Sequence, residues 1–494
     1  MNSDRSLIMK KSQLTLTAAL IGALCGSQAN ASAITEPADT IVYFAGSTAA
    51  SAAVLNSVKS VCDTATFETW VDKSTNGSNL KTYFCKSKGV TGLNDGTKIQ
   101  VRFSLATNVV GDNKYTTAVG GSMLGVGPVA YKLKLNFLAV SPSIAALCSG
   151  DPLASAGAAC DEAAVGVVAP YVPQFGLSDL YPSAFVLQNA PASIGGIGSD
   201  AISTLKISPS TIVIFNTPVT KSLRNALQDA QFAAGKLDAA CTSLSNRELG
   251  VCTPSLTGDD LAKIFGGQVS NWGDIQAGIA SNKPIKIIRR EIGSGTQATL
   301  NLVAMSSQYA KPENAYPCVG GAQPEVHELD SVKIVTTSGA MVTALNAAET
   351  AGDFSIGFLD TTRNGAGSNT APSGEFRYIK INGVAPTLSN VANGTYKLIG
   401  QATVNRLAAW GGTAQELAVV DAITRSLNDP AIVAKGNTSS SLKQNFGQSG
   451  FMVVGNTSCT DDTNCAANPV TAYRFASNPA DAPVGFCNAP KAVW

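Results

Sequence analysis

Between Pro284 and Ser307 the apolar spacing changes from that of a strand to that of a helix, and the change happens across a Ser-Gly-Thr turn. Pro284-Ile285-Lys286-Ile287-Ile288-Arg289 reads as a strand with a buried apolar stripe, and after Gln297 the residues Leu300, Val303 and Ala304 fall at helical spacing. Arg290-Glu291-Ile292-Gly293-Ser294-Gly295-Thr296 lies between the two. A strand, turn and helix in this order gather free backbone amides at the positive end of a helix dipole, so the junction predicts an anion site. Arg290, at the strand's end, adds a planar fork of donors suited to phosphate or carboxylate.

A second junction of this kind lies near the N-terminus. Thr40-Ile41-Val42-Tyr43-Phe44 reads as a strand, Ala45-Gly46-Ser47-Thr48 as a turn, and Val54, Leu55, Val58 and Val61 share a helix face. Taken alone, it fits either a second set of anion-directed amides or a tight turn capped by Ser47 or Thr48. Residues 63–98 read as a disulfide-tied surface excursion, and Ile99–Leu105 alternates as a strand. Gly120 to Gly127 is a glycine-rich loop that permits close backbone approach or positive φ. No Gly-Lys-Ser/Thr follows it, which disfavours nucleotide binding. Residues 141–163 form a Cys-bounded insert, and Asp179, after Phe175-Gly176-Leu177-Ser178, reads locally as a turn or cap.

Thr211 to Asn216 is a near-continuous apolar run, as in a strand buried on both faces. A helix is predicted from about Lys221 to Ala234, and another begins at Thr257 with Asp260 as a capping-box partner and Gly266 as its stop. Strands are predicted at 332–335, 354–358, 376–381 and 395–399, with helices over 338–348 and 414–428. Alternation of this kind predicts an α/β architecture with largely parallel sheets.

The chain of 494 residues has room for two or three domains. Its 35 Lys+Arg against 34 Asp+Glu give no basic excess that would point to nucleic acid. Lys10 and Lys11, the apolar run Leu14–Leu24 and Ala31-Ser32-Ala33 predict a secretory signal over residues 1–33, cleaved after Ala31 or Ala33. Leu24 stands where a lipid-anchored Cys25 would need a small residue, so Cys25 is assigned to the signal itself. The other ten of the eleven cysteines suit an oxidising compartment. Sequence neighbours suggest Cys62–Cys85, Cys148–Cys160, Cys241–Cys252 and Cys459–Cys465, which leaves Cys318 and Cys487 for each other. With one histidine, His327, in a polar stretch and no CxxC pair, neither a metal nor a cofactor is expected. Trp272 reads as a packing anchor.

Gly46-Ser47-Thr48, Phe175 to Asp179, Leu256 to Phe265, Asn271-Trp272 and Arg289-Arg290 through Thr296, in this order, resemble the periplasmic phosphate-binding proteins of ABC importers, the PstS-like group. The resemblance covers about residues 40–410 and is weak over the cysteine-bearing excursions. It implies a type II periplasmic-binding-protein fold: two α/β lobes, a ligand cleft between them, and crossing strands near Ile212–Asn216 and Leu398–Val404. Residues 34–210 and 405–494 would form the first lobe, and 211–404 the second. The implied phosphate contacts are Thr48, the Ala49 amide, Ser122 and Asp179 from one lobe and Arg290, Ser294, Gly295 and Thr296 from the other. Ser122 rests on the Gly-Gly-Ser loop alone. Implied partners are inorganic phosphate and an ABC permease complex of the inner membrane, for a monomer exported to the periplasm or beyond it.

That set has a physical logic. A carboxylate beside an anion repels it unless the anion carries a proton to donate, as phosphate and arsenate do near neutral pH and sulfate does not. Asp179 would therefore select phosphate-like ligands. One departure stands out: the family usually has an acid two residues after the arginine, where this chain has Ile292, with Glu291 beside it. The sequence points to a binding protein rather than an enzyme. A secreted phosphatase-like activity and a structural protein without a transport role are the alternatives.

Overall fold

The computed structural model describes residues 34, 36–73, 79–107, 109–110, 119–185, 189–190, 196–305, 331–363, 375–437, 443–475 and 492–493. The signal segment, His327, Cys318 and Cys487 lie outside them. The other four cysteine pairs form disulfides as expected from sequence proximity: Cys62–Cys85, Cys148–Cys160, Cys241–Cys252 and Cys459–Cys465. Among the described residues no helix is long and apolar enough to cross a membrane, and no cluster of His, Cys, Asp or Glu could hold a metal.

Two sheets organise the chain. The larger has twelve strands, in the order Val470–Thr471, Phe451–Val454, Leu205–Asn216, Ile399–Leu407, Phe175–Ser178, Thr40–Gly46, Lys98–Ser104, Leu80–Lys86, Glu68–Asp72, Ala158–Cys160 and Cys148–Ser149, with Leu359–Asp360 paired to Leu205–Asn216 beside this path. The smaller runs Val332–Val335, Lys286–Arg290, Ser355–Gly357, Pro218–Thr220, Phe376–Tyr378.

Each sheet has a parallel heart. Thr40–Gly46 runs parallel to both its neighbours, with Phe44 in register with Phe103 on one side and Phe175 on the other. The three rings meet at centroid distances of 4.3 Å for each pair with Phe44. Strands buried on both faces are uniformly apolar, which is why Val42 and Phe44 are fully covered. Lys286–Arg290 is likewise parallel to Val332–Val335 and Ser355–Gly357. Elsewhere the pairing is mostly antiparallel, including the 205–216, 399–407 and 175–178 group. The sheets are therefore mixed, not largely parallel.

Two further expectations are corrected. Residues 63–98 are not a surface excursion, because Glu68–Asp72 and Leu80–Lys86 are sheet strands whose alternate positions, some polar, are buried. The strand expected over 395–399 instead starts at Ile399 and continues to Leu407. Local signals fared better. Thr257 and Asp260 form the predicted reciprocal capping box. Trp272 is fully buried, and its indole N–H donates to the Phe354 carbonyl at 2.9 Å. Glu248, in the loop closed by Cys241–Cys252, pairs with Arg224 at 2.6 Å and Arg377 at 3.0 Å and accepts from Asn445 at 2.7 Å.

Candidate anion-binding site

In parallel strands the carboxyl ends share one edge, and ligands of α/β sheets gather there. The strand Thr40–Gly46 delivers Ser47, Thr48 and Ala49 to that edge, and its parallel neighbour Phe175–Ser178 delivers Asp179. In the smaller sheet, Lys286–Arg290 delivers Arg290. Its two parallel neighbours bring Thr336–Ser338 and Phe358–Asp360 alongside, since Arg290 is in register with Val335 and Ile288 with Gly357. The two edges face each other, and all eight residues expected from the sequence lie at this junction.

The contact is close. Gly121 has φ +67°, a backbone shape that favours glycine, and a Cβ on it would come within 2.9 Å of the Ser294 Cα. A Cβ on Gly295 would sit 2.1 Å from the Ser122 Oγ and 2.7 Å from an Asp179 carboxyl oxygen. The Met123 amide donates to the Gly293 carbonyl at 3.0 Å, and the Thr48 and Ser338 hydroxyls are 3.3 Å apart. Glycine at 121 and 295 is what lets the two edges meet.

Several expected contacts are engaged within the protein. The Ala49 amide donates to the Ser47 Oγ at 3.1 Å. Ser294 is the N-cap of the helix Gly295–Thr299, which continues as a π-helix over Leu300–Ala304, and its Oγ accepts from the Gln297 amide at 3.4 Å. The Ser122 Oγ accepts from the Asp179 amide at 2.9 Å. The Arg290 guanidinium donates through Nη2 to the Thr336 carbonyl at 2.6 Å and through Nη1 to the Ser338 Oγ at 3.4 Å.

Other polar atoms are buried with no partner: Asp179 Oδ1, Arg290 Nε and Thr296 Oγ1. Their residues are between 1 and 2% exposed. A buried polar group left without a hydrogen bond costs about 1–3 kcal/mol, so three at one junction call for a function. Burial raises the Asp179 carboxyl to about 6, opposed by hydrogen bonds from Ser47 and Ser122 and by the Arg290 charge, while Asp360 adds to the rise. Burial also holds Arg290 below its ordinary value, against the pull of Glu291, Asp179 and Asp360. Glu291 is pushed up to about 7, mainly by burial.

Sequence reasoning missed three of these participants. Ser47 read only as a turn cap, yet it is among the groups that oppose the rise of the Asp179 carboxyl. Ser338 was marked as a helix start, and Asp360 carried no signal at all. Both reach the site through strand order, which no local pattern encodes.

Residues 240–405 match the model of a PBP superfamily domain. The resemblance to periplasmic binding proteins is borne out over this span, and the α/β class with it. No curated protein matches the chain in sequence. Among solved structures, the chain is similar to a substrate-binding protein of the phosphate ABC transporter type from Clostridium perfringens, solved with bound phosphate, at 14% identity and a TM-score of 0.40 over 80% of this chain and 97% of that one. It is similar to PstS from Borrelia burgdorferi at 12% identity and a TM-score of 0.34, over 81% and 97% of the two chains. A third, described as a possible phosphate-binding protein, comes from Planctomyces limnophilus, with 10% identity, a TM-score of 0.32, and coverage of 78% and 87%.

Proposed function

We propose that this chain, with its PBP superfamily domain, binds inorganic phosphate, or a similar oxyanion that keeps a proton near neutral pH, between the carboxyl edges of its two sheets. The observation that carries the reading is the set of buried, unpartnered atoms: Arg290 Nε and the Thr296 hydroxyl as donors and Asp179 Oδ1 as acceptor. Hydrogen phosphate is complementary to such a set, because its bare oxygens accept and its hydroxyl donates. Each bond to a charged oxygen contributes about 1.5–3 kcal/mol. Amides in the first turn at Gly295 and Thr296, which lie too early in the helix to reach an intrahelical carbonyl, add to the donors.

Binding then works by lobe closure. The lobes are residues 34–210 with 405–494, and residues 211–404, linked by strands at 205–216 and 399–407. On entry of the anion the Ala49 amide exchanges Ser47 for the ligand. The biological role we infer is export to the periplasm and delivery of phosphate to an ABC permease. Isothermal titration of the purified, phosphate-free protein, with sulfate as competitor, tests the binding step. Micromolar phosphate affinity that resists sulfate is expected, and no phosphate binding in that range sinks the proposal.

A further inference from the structure

The resemblance leaves one physical difficulty for this site: the position where the family usually has an acid to pair with the arginine is Ile292 here, in a half-buried turn. Glu291, its neighbour, pulls on the Arg290 charge but makes no hydrogen bond that would orient the guanidinium. One of its carboxyl oxygens is buried with no hydrogen-bond partner, and burial drives the group toward its neutral form. Asp360 is better placed. It is fully buried, and its Oδ2 accepts from the Ser338 hydroxyl at 3.2 Å, while Oδ1 accepts from the Thr362 hydroxyl. The Ser338 Oγ in turn receives the Arg290 guanidinium at 3.4 Å and lies 3.3 Å from the Thr48 hydroxyl.

The backbone of Asp360 is held firmly. Its residue is paired with Phe215 of the strand Leu205–Asn216, its carbonyl accepts from the Tyr378 hydroxyl at 2.6 Å, and the next amide, Thr361, donates to Ile214 at 2.9 Å. A side chain on so fixed a strand makes a precise support for a second group. A serine hydroxyl has one hydrogen, and giving it to Asp360 leaves its lone pairs to receive Arg290 and Thr48.

We infer that Asp360, acting through Ser338, is the positioning carboxylate for Arg290 and Thr48, and so takes over from another strand the role that Ile292 cannot fill. This rests on the anion-binding reading of the site. Asp360 is not proposed to touch the ligand itself. It fixes the two groups that do.

The test compares wild type, Asp360→Asn, Ser338→Ala and the double variant Asp360→Asn with Ile292→Asp, titrated with inorganic phosphate. Asparagine is isosteric but keeps one acceptor oxygen in place of the two that receive Ser338 and Thr362, so a thermal melt of each variant accompanies the titration. Loss of charge support for the guanidinium should weaken phosphate about tenfold in Asp360→Asn. An aspartate returned at position 292 should restore most of that loss, which a general packing defect at 360 would not permit. Unchanged affinity in Asp360→Asn, or no recovery in the double variant, overturns the inference while the binding reading stands. A thermal-unfolding cycle on ligand-free protein, with Arg290→Gln, Asp360→Asn and both together, is independent of phosphate. Non-additive shifts support the pairing even if wild type binds no phosphate, and strict additivity overturns it.

Discussion

Asp179→Asn tests the site's electrostatics without any ligand. The carboxyl is 2% exposed, one of its oxygens has no partner, and its pKa is raised from 3.8 to about 6. The folded state therefore holds this proton more tightly than the unfolded chain. Stability from this group is greatest below about pH 4, falls as the pH rises toward 6, and stays low above that. The rise corresponds to about 3 kcal/mol, an order-of-magnitude value, charged against the fold when the carboxylate is ionised. Asparagine has nearly the same shape and cannot ionise. In phosphate-free buffer the variant should melt higher than wild type at about pH 7.5 and lose that advantage by about pH 4. Adding phosphate at about pH 7.5 should narrow that advantage, because a carboxylate is a stronger acceptor for the ligand's proton than the amide oxygen of asparagine. A variant that is less stable than wild type at about pH 7.5 without ligand, or a difference that ignores pH, refutes the reasoning.

Gly295→Ala should hold the two sheet edges apart, since the added Cβ would fall 2.1 Å from the Ser122 Oγ. Phosphate affinity should drop, and small-angle scattering with phosphate should keep the larger radius of the open form. Arg290→Lys keeps the charge but loses the fork that spans Thr336 and Ser338, so titration should show at least about tenfold weaker phosphate binding. Replacing Cys241 and Cys252 together by serine opens a loop with a sequence separation of 11 and should cost roughly 3 kcal/mol, read as a lower melting temperature. Phosphate affinity should stay unchanged in that variant, because Glu248 of that loop contacts Arg224, Arg377 and Asn445, none of them a site residue.

What the sequence disclosed follows from the range over which its signals act. The Arg290 junction, the capping box at Thr257 and the four short-range disulfides are local, so spacing alone revealed them. Strands 68–72 and 80–86 escaped because Glu68, Asp72 and Thr82 are buried at positions where an apolar alternation would be sought. Asp72, for example, is engaged by the Leu80 amide at 2.9 Å, and Thr82 donates to the Leu138 carbonyl at 2.7 Å. Buried polar residues satisfied in this way mimic the composition of a surface loop. Asp360 was illegible for a different reason. Its relation to Arg290 exists only once Ser355–Gly357 lies beside Lys286–Arg290, a pairing across some seventy residues.

The strand Leu205–Asn216 has an added consequence for how the molecule comes into being. Besides the short strand Leu359–Asp360, its partners in the large sheet are Ile399–Leu407 on one side and Phe451–Val454 on the other, all far downstream. While synthesis has not passed residue 400, a strand rich in Ile, Val and Phe lacks both of its flanking neighbours and has only Leu359–Asp360 to pair with. Contacts this remote in sequence make folding slow and tie its completion to the last part of the chain. The large sheet is therefore finished late, once its last strands at 451–454 and 470–471 have been made.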